Sequence, residues 1–206
     1  MFLVIIAVLG IYSNRLSVKL AEILLIVLSA ITAEHTCAAL CGRRPSSLSA
    51  AITGLGVSLI LRSNYTLALM LASVLGIWSK YYIRAGWLLD NKIGKHCFNP
   101  ANFGIVMVTW LNLGWPSLSH WGADIEGVML TLGLGAYLLA SIKRLEVPIA
   151  FFAVYVVLLL LRASFLSLPF SITLHYLAQT GLHIFVFFML SDPRSSPDNR
   201  LARTLW

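Results

Sequence analysis

The chain has 206 residues, of which 59% are hydrophobic and only 11% are charged, with a mean hydropathy of +0.85. A soluble domain carries about 25% charged residues, so this composition excludes an ordinary water-soluble enzyme and indicates a polytopic membrane protein. The net charge of +7 comes from short basic clusters between apolar runs, which is typical of cytoplasmic loops and excludes nucleic acid as a partner.

Eight apolar runs follow one another along the chain. They cover residues 2–13, 20–41, 47–61, 66–83, 100–113, 125–142, 147–162 and 172–190. The first run lacks a basic leader and a cleavage pattern, so we interpret it as a retained membrane segment. The runs 47–61 and 100–113 are shorter than the roughly 20 residues of a straight crossing helix. Such short runs are typical of broken or half-spanning helices that line a site.

Lys and Arg mark every second connection, at residues 43–44, 80–95, 143–144 and 194–203. This bias predicts eight crossings with both termini in the cytoplasm, unless the run 100–113 returns to its own side. We therefore expect an all-α membrane protein, a polytopic helical bundle with about eight membrane segments. It is expected to form a single integral membrane domain over 1–206, with approximate halves 1–113 and 125–206.

A polar and basic hinge at residues 92–104 leads into the fifth run. Asn99 is a favourable helix N-cap and Pro100 suits the first helical position, so a helix is predicted to start at Pro100. The unpaired N–H groups and the positive dipole end of this helix favour an anionic or electron-rich ligand. Lys95, Asn99 and Asn102 are therefore candidate ligand-binding residues, and Asn99 has a capping role in either case.

The eighth run carries His175, Gln179 and His183 at a spacing of four. Over one helix these positions drift by only about 80°, so they predict a polar stripe that faces protein or a cavity. Such a stripe could ligate a haem, shuttle protons or hydrogen-bond a flavin or quinone, but an imidazole paired with a backbone carbonyl would give the same sequence. At the end of this run, Asp192 is predicted to cap a turn that Pro193 opens, and to pair with a nearby Arg.

Ionisable residues also occur in the second run. Glu34 and His35 lie about seven residues before its basic end. They either belong to a functional site or lie at the membrane interface. Cys37 and Cys41 share a helical face but have no zinc-type partners, so we interpret them as packing residues.

Small residues in the third, fourth and sixth runs, among them Gly54, Gly76, Gly133 and Gly135, predict close helix packing. The chain has no Gly-rich phosphate loop, nucleophile elbow or CxxC motif. The sequence therefore predicts no catalytic centre of the kinds found in soluble enzymes.

Two motifs carry a resemblance to a known family: GKHCFNPANFG at residues 94–104 and FFMLSDPRSSP at residues 187–197. In these motifs the chain resembles the RnfD/NqrB family of membrane proteins from ion-translocating flavin electron-transport complexes. RnfD belongs to the Rnf complex and NqrB to the sodium-translocating NADH:quinone reductase. A weaker likeness covers 41–62 and 133–151. The resemblance implies a fold like that of urea transporters, with two inverted repeats, one motif in each half, and short broken helices.

The resemblance also implies a function. The chain would be an electron-carrying or non-catalytic subunit of an oxidoreductase complex in the bacterial cytoplasmic membrane, coupled to ion translocation. Family members attach FMN covalently to a Thr in a Gly-Ala-Thr motif, which the interval 110–126 lacks, so covalent FMN is not expected. Family chains continue past the Asp-Pro motif, which makes this chain, ending at Trp206, a shortened member.

A non-covalent cofactor, either a flavin (riboflavin or FMN) or a quinone, is the expected ligand. Its ring needs an apolar slot with a polar edge, which His175, Gln179, Asn99 and Asn102 could supply. The expected partners are the lipid bilayer, other membrane subunits of the complex and, alternatively, a second copy of the chain. Two alternatives stay open: a small-solute channel or transporter on the same scaffold, and a subunit that only scaffolds a complex.

Overall fold

A computed structural model describes residues 2–12, 19–84, 96–118, 125–196, 199 and 204. The described chain is mostly helical. Its helices are α1 (Phe2–Tyr12), α2 (Leu20–Leu40), α3 (Ser47–Ile60), α4 (Thr66–Tyr82), α5 (Pro100–Trp110), α6 (Ile125–Ser141), α7 (Glu146–Phe165), α8 (Phe170–Leu177) and α9 (Thr180–Ile184). A π-helical segment, Phe185–Leu190, continues α9. The chain divides into two compact units, Met1–Ser117 and Leu118–Trp206.

Each of the eight apolar runs forms helix, as predicted, and only the eighth run is divided. Two helices, Leu20–Leu40 and Glu146–Phe165, are long and apolar enough to cross a membrane. The pair Phe170–Leu177 and Thr180–Leu190, bent by 48°, adds a third span if it is counted as one. By length and composition, the described residues thus supply two or three spans, and the remaining helices have 17 residues or fewer.

Four helices end on a residue in the left-handed backbone region. These residues are Gly42, Asn112, Lys143 and Ser167, with φ of 62°, 56°, 54° and 50°. Each helix closes with a hydrogen bond from the next residue back to its last turn, as when the N–H of Arg144 donates to the carbonyl of Leu139 at 2.9 Å. This ending turns the chain sharply, and only at Gly42 is the residue type free of strain.

The helices of the first unit pack closely through glycines. A Cβ on Gly104 of α5 would lie 1.9 Å from the carbonyl oxygen of Ala72, and one on Gly76 of α4 would lie 2.3 Å from that of Pro100. Because neither position has room for a methyl group, α4 and α5 approach backbone to backbone. The packing role predicted for Gly76 is confirmed.

The first unit also contains a short β-ribbon, which was not predicted from the sequence. Strand β1 (Leu61–Arg62) pairs antiparallel with strand β2 (Trp115–Pro116), and the N–H of Ser117 donates to the carbonyl of Ile60 at 2.9 Å. The ribbon forms because the chain becomes extended directly after α3 and can pair with the extended segment that follows α5. Hydrophobic periodicity does not predict a pair of two-residue strands.

The second unit packs around the sixth helix and the π-helical segment. Helix α6 buries Thr131, Gly135 and Leu139, which lie one turn apart on one face. A Cβ on Gly135 would lie 2.6 Å from the side chain of Phe187, so the aromatic ring lies directly on the glycine. The packing role predicted for Gly135 is therefore confirmed as well. The same prediction was wrong at Gly133, where a Cβ would have nothing within 4 Å among the described residues.

Candidate functional site

The start of α5 is built as predicted. The side chain of Asn99 accepts a hydrogen bond from the N–H of Asn102 at 3.2 Å, and Pro100 occupies the first helical position. The side-chain oxygen of Asn102 is buried and has no hydrogen-bond partner in the part of the chain that the structure describes. Lys95, the third candidate of this group, lies outside the described residues.

The hinge before α5 is held by backbone pairing. Arg84 and His96 form an isolated antiparallel bridge, and the N–H of Cys97 donates to the carbonyl of Ile83 at 3.2 Å. His96 is buried. These contacts attach the end of the hinge motif to the end of α4 and so fix the direction from which the chain enters α5.

The second group of candidates does not lie on one continuous helix. Helix α8 ends at Leu177 and α9 begins at Thr180, with Gln179 in an extended conformation between them. The prediction of a single polar stripe was therefore wrong. The helix is interrupted and bent at the break, so the residues after it no longer continue the helical face of His175. His175 is exposed, whereas Gln179 and His183 are buried.

His183 makes the backbone contact that the sequence left as an alternative. Its Nδ1–H donates to the carbonyl of Gln179 at 3.0 Å, which leaves Nε2 as the acceptor of the neutral ring. The imidazole lies 5.5 Å from the ring of Phe152, which lies 6.3 Å from that of Phe187. Beside it, the hydroxyl of Thr180 is buried without a hydrogen-bond partner among the described residues. The break thus has aromatic rings near polar atoms that can still form hydrogen bonds.

The Asp-Pro motif forms a tight turn directly after the π-helical segment. Asp192 accepts a hydrogen bond from the N–H of Arg194 at 3.0 Å, which confirms its capping role. The hydroxyl of Ser191 donates to the carbonyl of Val186 at 2.8 Å, and Arg144 donates to the hydroxyl of Ser196. The motif is thereby tied to the connection between α6 and α7. The pairing of Asp192 with an Arg stays a prediction.

A buried ion pair in the first unit was only partly foreseen. Glu34 of α2 is 1% exposed, and its two carboxylate oxygens lie 2.7 and 2.8 Å from the Nζ of Lys80 on α4. The same carboxylate accepts hydrogen bonds from the hydroxyl of Tyr81 at 2.8 Å and from the N–H of Ser46 at 3.0 Å. Lys80 also donates to Ser49 at 3.2 Å. This network, called here the Glu34 cluster, joins α2, α3 and α4.

The neighbours of Glu34 have plainer roles. His35 is exposed and lies 3.0 Å from the hydroxyl of Ser47. Cys37 is buried in an apolar cluster with Ala30 and Ile77, in agreement with its interpretation as a packing residue. Across the described ranges, no group of three or more His, Cys, Asp or Glu side chains is placed to hold a metal ion.

The candidates therefore form two groups, each within its own unit. Asn99 and Asn102 meet at the start of α5, and Gln179 and His183 meet at the break of the eighth run.

No protein-family model matches this chain, and no curated protein matches it. The resemblance to electron-transport subunits therefore depends on the residues of the two motifs and on the weaker likeness over 41–62 and 133–151.

Proposed function

We propose that the chain is an integral membrane subunit of an electron-transport complex of the Rnf and NADH:quinone reductase type, and that it binds a flavin or quinone non-covalently. In this proposal it lies in the bacterial cytoplasmic membrane with both termini in the cytoplasm, crosses about eight times in two inverted halves and carries electrons for a complex that translocates ions. Other membrane subunits, or a second copy of the chain, cover its apolar flanks.

One observation carries the cofactor part of the proposal: the polar atoms buried at the break between α8 and α9. Gln179, Thr180 and His183 are all buried there, and the ring of His183 lies beside that of Phe152, which in turn lies beside that of Phe187. Cofactor sites are mostly apolar and aromatic, with a few polar groups that fix the ligand. The break offers this combination.

The hydrogen-bonding capacity at the break suits a heteroaromatic ring. A buried hydroxyl without a partner costs about 1–3 kcal/mol, which a ring carbonyl that accepts from Thr180 would recover. The free Nε2 of His183 is an acceptor and would take the N–H of an isoalloxazine ring or the O–H of a quinol. In the first unit, the buried side-chain oxygen of Asn102 is a separate acceptor, next to the positive end of α5.

The test is a spectrum of the full chain purified in mild detergent. We expect a flavin absorbance and fluorescence band that is released into the supernatant by acid precipitation, or an extractable quinone. His183→Leu should lower the amount of cofactor per folded protein at least about fivefold, because it removes the polar edge. His175→Leu is the matched control, since the same substitution at this exposed histidine should leave most of the cofactor bound.

A colourless, folded protein without extractable quinone would refute cofactor binding by this subunit. Equal cofactor loss in both histidine variants would refute the placement at the break, because only His183 is buried there.

A small-solute transporter is the second candidate, and the Glu34 cluster favours it. Buried charges within membrane segments often mark a transport path. Measured uptake of small neutral and ionic solutes into proteoliposomes distinguishes this function. Uptake that is abolished by Glu34→Gln in a folded, cofactor-free protein would support transport over electron transfer, and absence of both activities would support a scaffolding role.

A further inference from the structure

Arg62 lies at the end of α3 and uses only one side of its guanidinium group within the protein. Its Nη1 donates to the carbonyl of Ser58 at 3.1 Å and to that of Leu61 at 2.9 Å. These carbonyls belong to the last turn of α3 and to the residue after it, where a positive charge is favourable. This contact explains the position of the side chain and the role of Nη1.

The other side of the group, the Nε and Nη2 edge, has no such explanation. Both nitrogen atoms are buried, and neither has a hydrogen-bond partner within the described ranges. The two N–H groups on this edge of a planar guanidinium point in parallel, which is the geometry that binds two oxygens of a carboxylate or phosphate. Burial lowers the pKa of Arg62 to about 10. The positive charge of the guanidinium group is therefore only partly balanced by negative charge within the protein.

Glu22 is the acidic residue whose charge acts on Arg62, but its oxygens are used elsewhere. Its Oε2 accepts from the N–H of Lys19 at 3.2 Å, and its Oε1 accepts from the hydroxyl of Thr66 at 3.4 Å. Glu22 therefore caps the start of α2 and contacts the start of α4. It offsets part of the desolvation of Arg62 without bonding to its free edge.

The surroundings of Arg62 have the composition of a membrane interface. Trp115, its partner in the β-ribbon, is 49% exposed, and Tyr65, three residues further along the chain, is 67% exposed. Trp and Tyr are enriched where a membrane meets water, at the level of the lipid headgroups.

We propose that the Nε and Nη2 edge of Arg62 binds a phosphate oxyanion, supplied by the headgroup of a membrane phospholipid. The exposed aromatic side chains favour a lipid over free phosphate, because exposed Trp and Tyr are typical of the depth at which lipid headgroups lie. The bound phosphate completes the hydrogen bonds of Arg62 and supplies its counter-charge. This proposal does not depend on the cofactor or on electron transfer.

The experiment is native mass spectrometry of the delipidated full chain in detergent, titrated with phosphatidylglycerol. The non-phosphate control is diacylglycerol with the same acyl chains, and inorganic phosphate forms a separate arm. Arg62→Lys keeps the positive charge but loses the bidentate edge, and Arg44→Lys is the matched control at an exposed arginine.

We expect phosphatidylglycerol to bind the wild type and Arg44→Lys equally, and Arg62→Lys at least about tenfold more weakly, with no comparable binding of diacylglycerol. Equal binding by Arg62→Lys overturns the proposal. Inorganic phosphate that competes with the lipid at equal concentration overturns the assignment to a lipid.

Glu22→Gln provides an independent variant in case Arg62→Lys does not fold. Removing the nearest negative charge should tighten phosphatidylglycerol binding about threefold, because Glu22 repels the phosphate. Unchanged or weaker binding in a folded Glu22→Gln protein also overturns the proposal.

Discussion

Replacement of Lys80 by Met tests the Glu34 cluster directly. Methionine keeps an unbranched side chain of similar length and removes the ammonium group. In the wild type the Glu34 carboxylate is 1% exposed and accepts four hydrogen bonds between 2.7 and 3.0 Å, two of them from Lys80. The substitution leaves a buried carboxylate with only Tyr81 and Ser46 as donors.

The expected loss of stability follows from this geometry. Removing one partner of a buried ion pair costs about 3–5 kcal/mol, and we expect about 3 kcal/mol because two donors remain. Glu34→Gln should cost less, about 1–2 kcal/mol, since Lys80 is 13% exposed and still has Ser49 as an acceptor. The double variant should lose about 1.5 kcal/mol less than the sum of the single variants, because each single change leaves the other charge unpaired.

The assay is thermal unfolding of the four proteins in one detergent, followed by circular dichroism. For a chain of about 200 residues, 3 kcal/mol lowers the unfolding midpoint by roughly 6–12 °C. Lys143→Met is the matched control, because Lys143 is exposed, and it should shift the midpoint by less than about 2 °C. The buried ion pair does not contribute as described if Lys80→Met has the same unfolding midpoint as Lys143→Met. The same holds if the stability losses of Lys80→Met and Glu34→Gln simply add in the double variant.

Five further substitutions, at four positions, test the packing and the helix ends. Gly104→Ala should destabilise by several kcal/mol, since the new methyl group would lie 1.9 Å from Ala72, whereas Gly133→Ala has nothing within 4 Å and should be neutral or stabilising by up to about 1 kcal/mol. Unfolding midpoints of this pair compare the two sites directly. Lys143→Gly should stabilise the protein by about 0.5–1 kcal/mol, because φ is 54° at this position and glycine adopts such a backbone conformation without strain. An unchanged or lower unfolding midpoint would contradict a left-handed backbone conformation at residue 143. Asn99→Ala should cost about 1 kcal/mol and Asn99→Asp almost nothing, as measured by the same unfolding, and equal losses would argue against the cap.

Features with a local physical cause were predictable from the sequence. The start of α5 follows from an N-cap residue and a proline whose missing N–H needs no partner, and both act within one turn of Asn99. The positions of the helices follow from apolar runs that are long enough to be recognised. Close packing at Gly76 and Gly135 follows from the absence of a side chain.

Features that depend on distant residues were not predictable. The break before Thr180 occurs at Ala178 and Gln179, two residue types that favour helix, so no local signal marks it. It was this break that separated His175 from His183. The partners of Glu34 lie 46 and 47 positions away in sequence, and only the packing of α2 against α4 brings them together.

Buried polar groups in this protein differ in whether the protein itself satisfies them. The Glu34 carboxylate has donors on both oxygens and needs no ligand to satisfy it, whereas the hydroxyl of Thr180 has no partner among the described residues, which favours a ligand. Thr180→Val replaces this hydroxyl by a methyl group of similar size. It should raise the unfolding free energy of the cofactor-free protein by about 1 kcal/mol, because the unsatisfied group is removed, and at the same time lower cofactor retention severalfold.

Lys80→Met should show the opposite pattern, with lower stability and unchanged cofactor retention per folded molecule. The two measurements are therefore an unfolding midpoint and the ratio of extracted cofactor to folded protein, taken on both variants. A Thr180→Val protein that loses stability would show that the hydroxyl is satisfied in the membrane by the protein. Cofactor loss in Lys80→Met alone would move the ligand from the break in the eighth run to the Glu34 cluster.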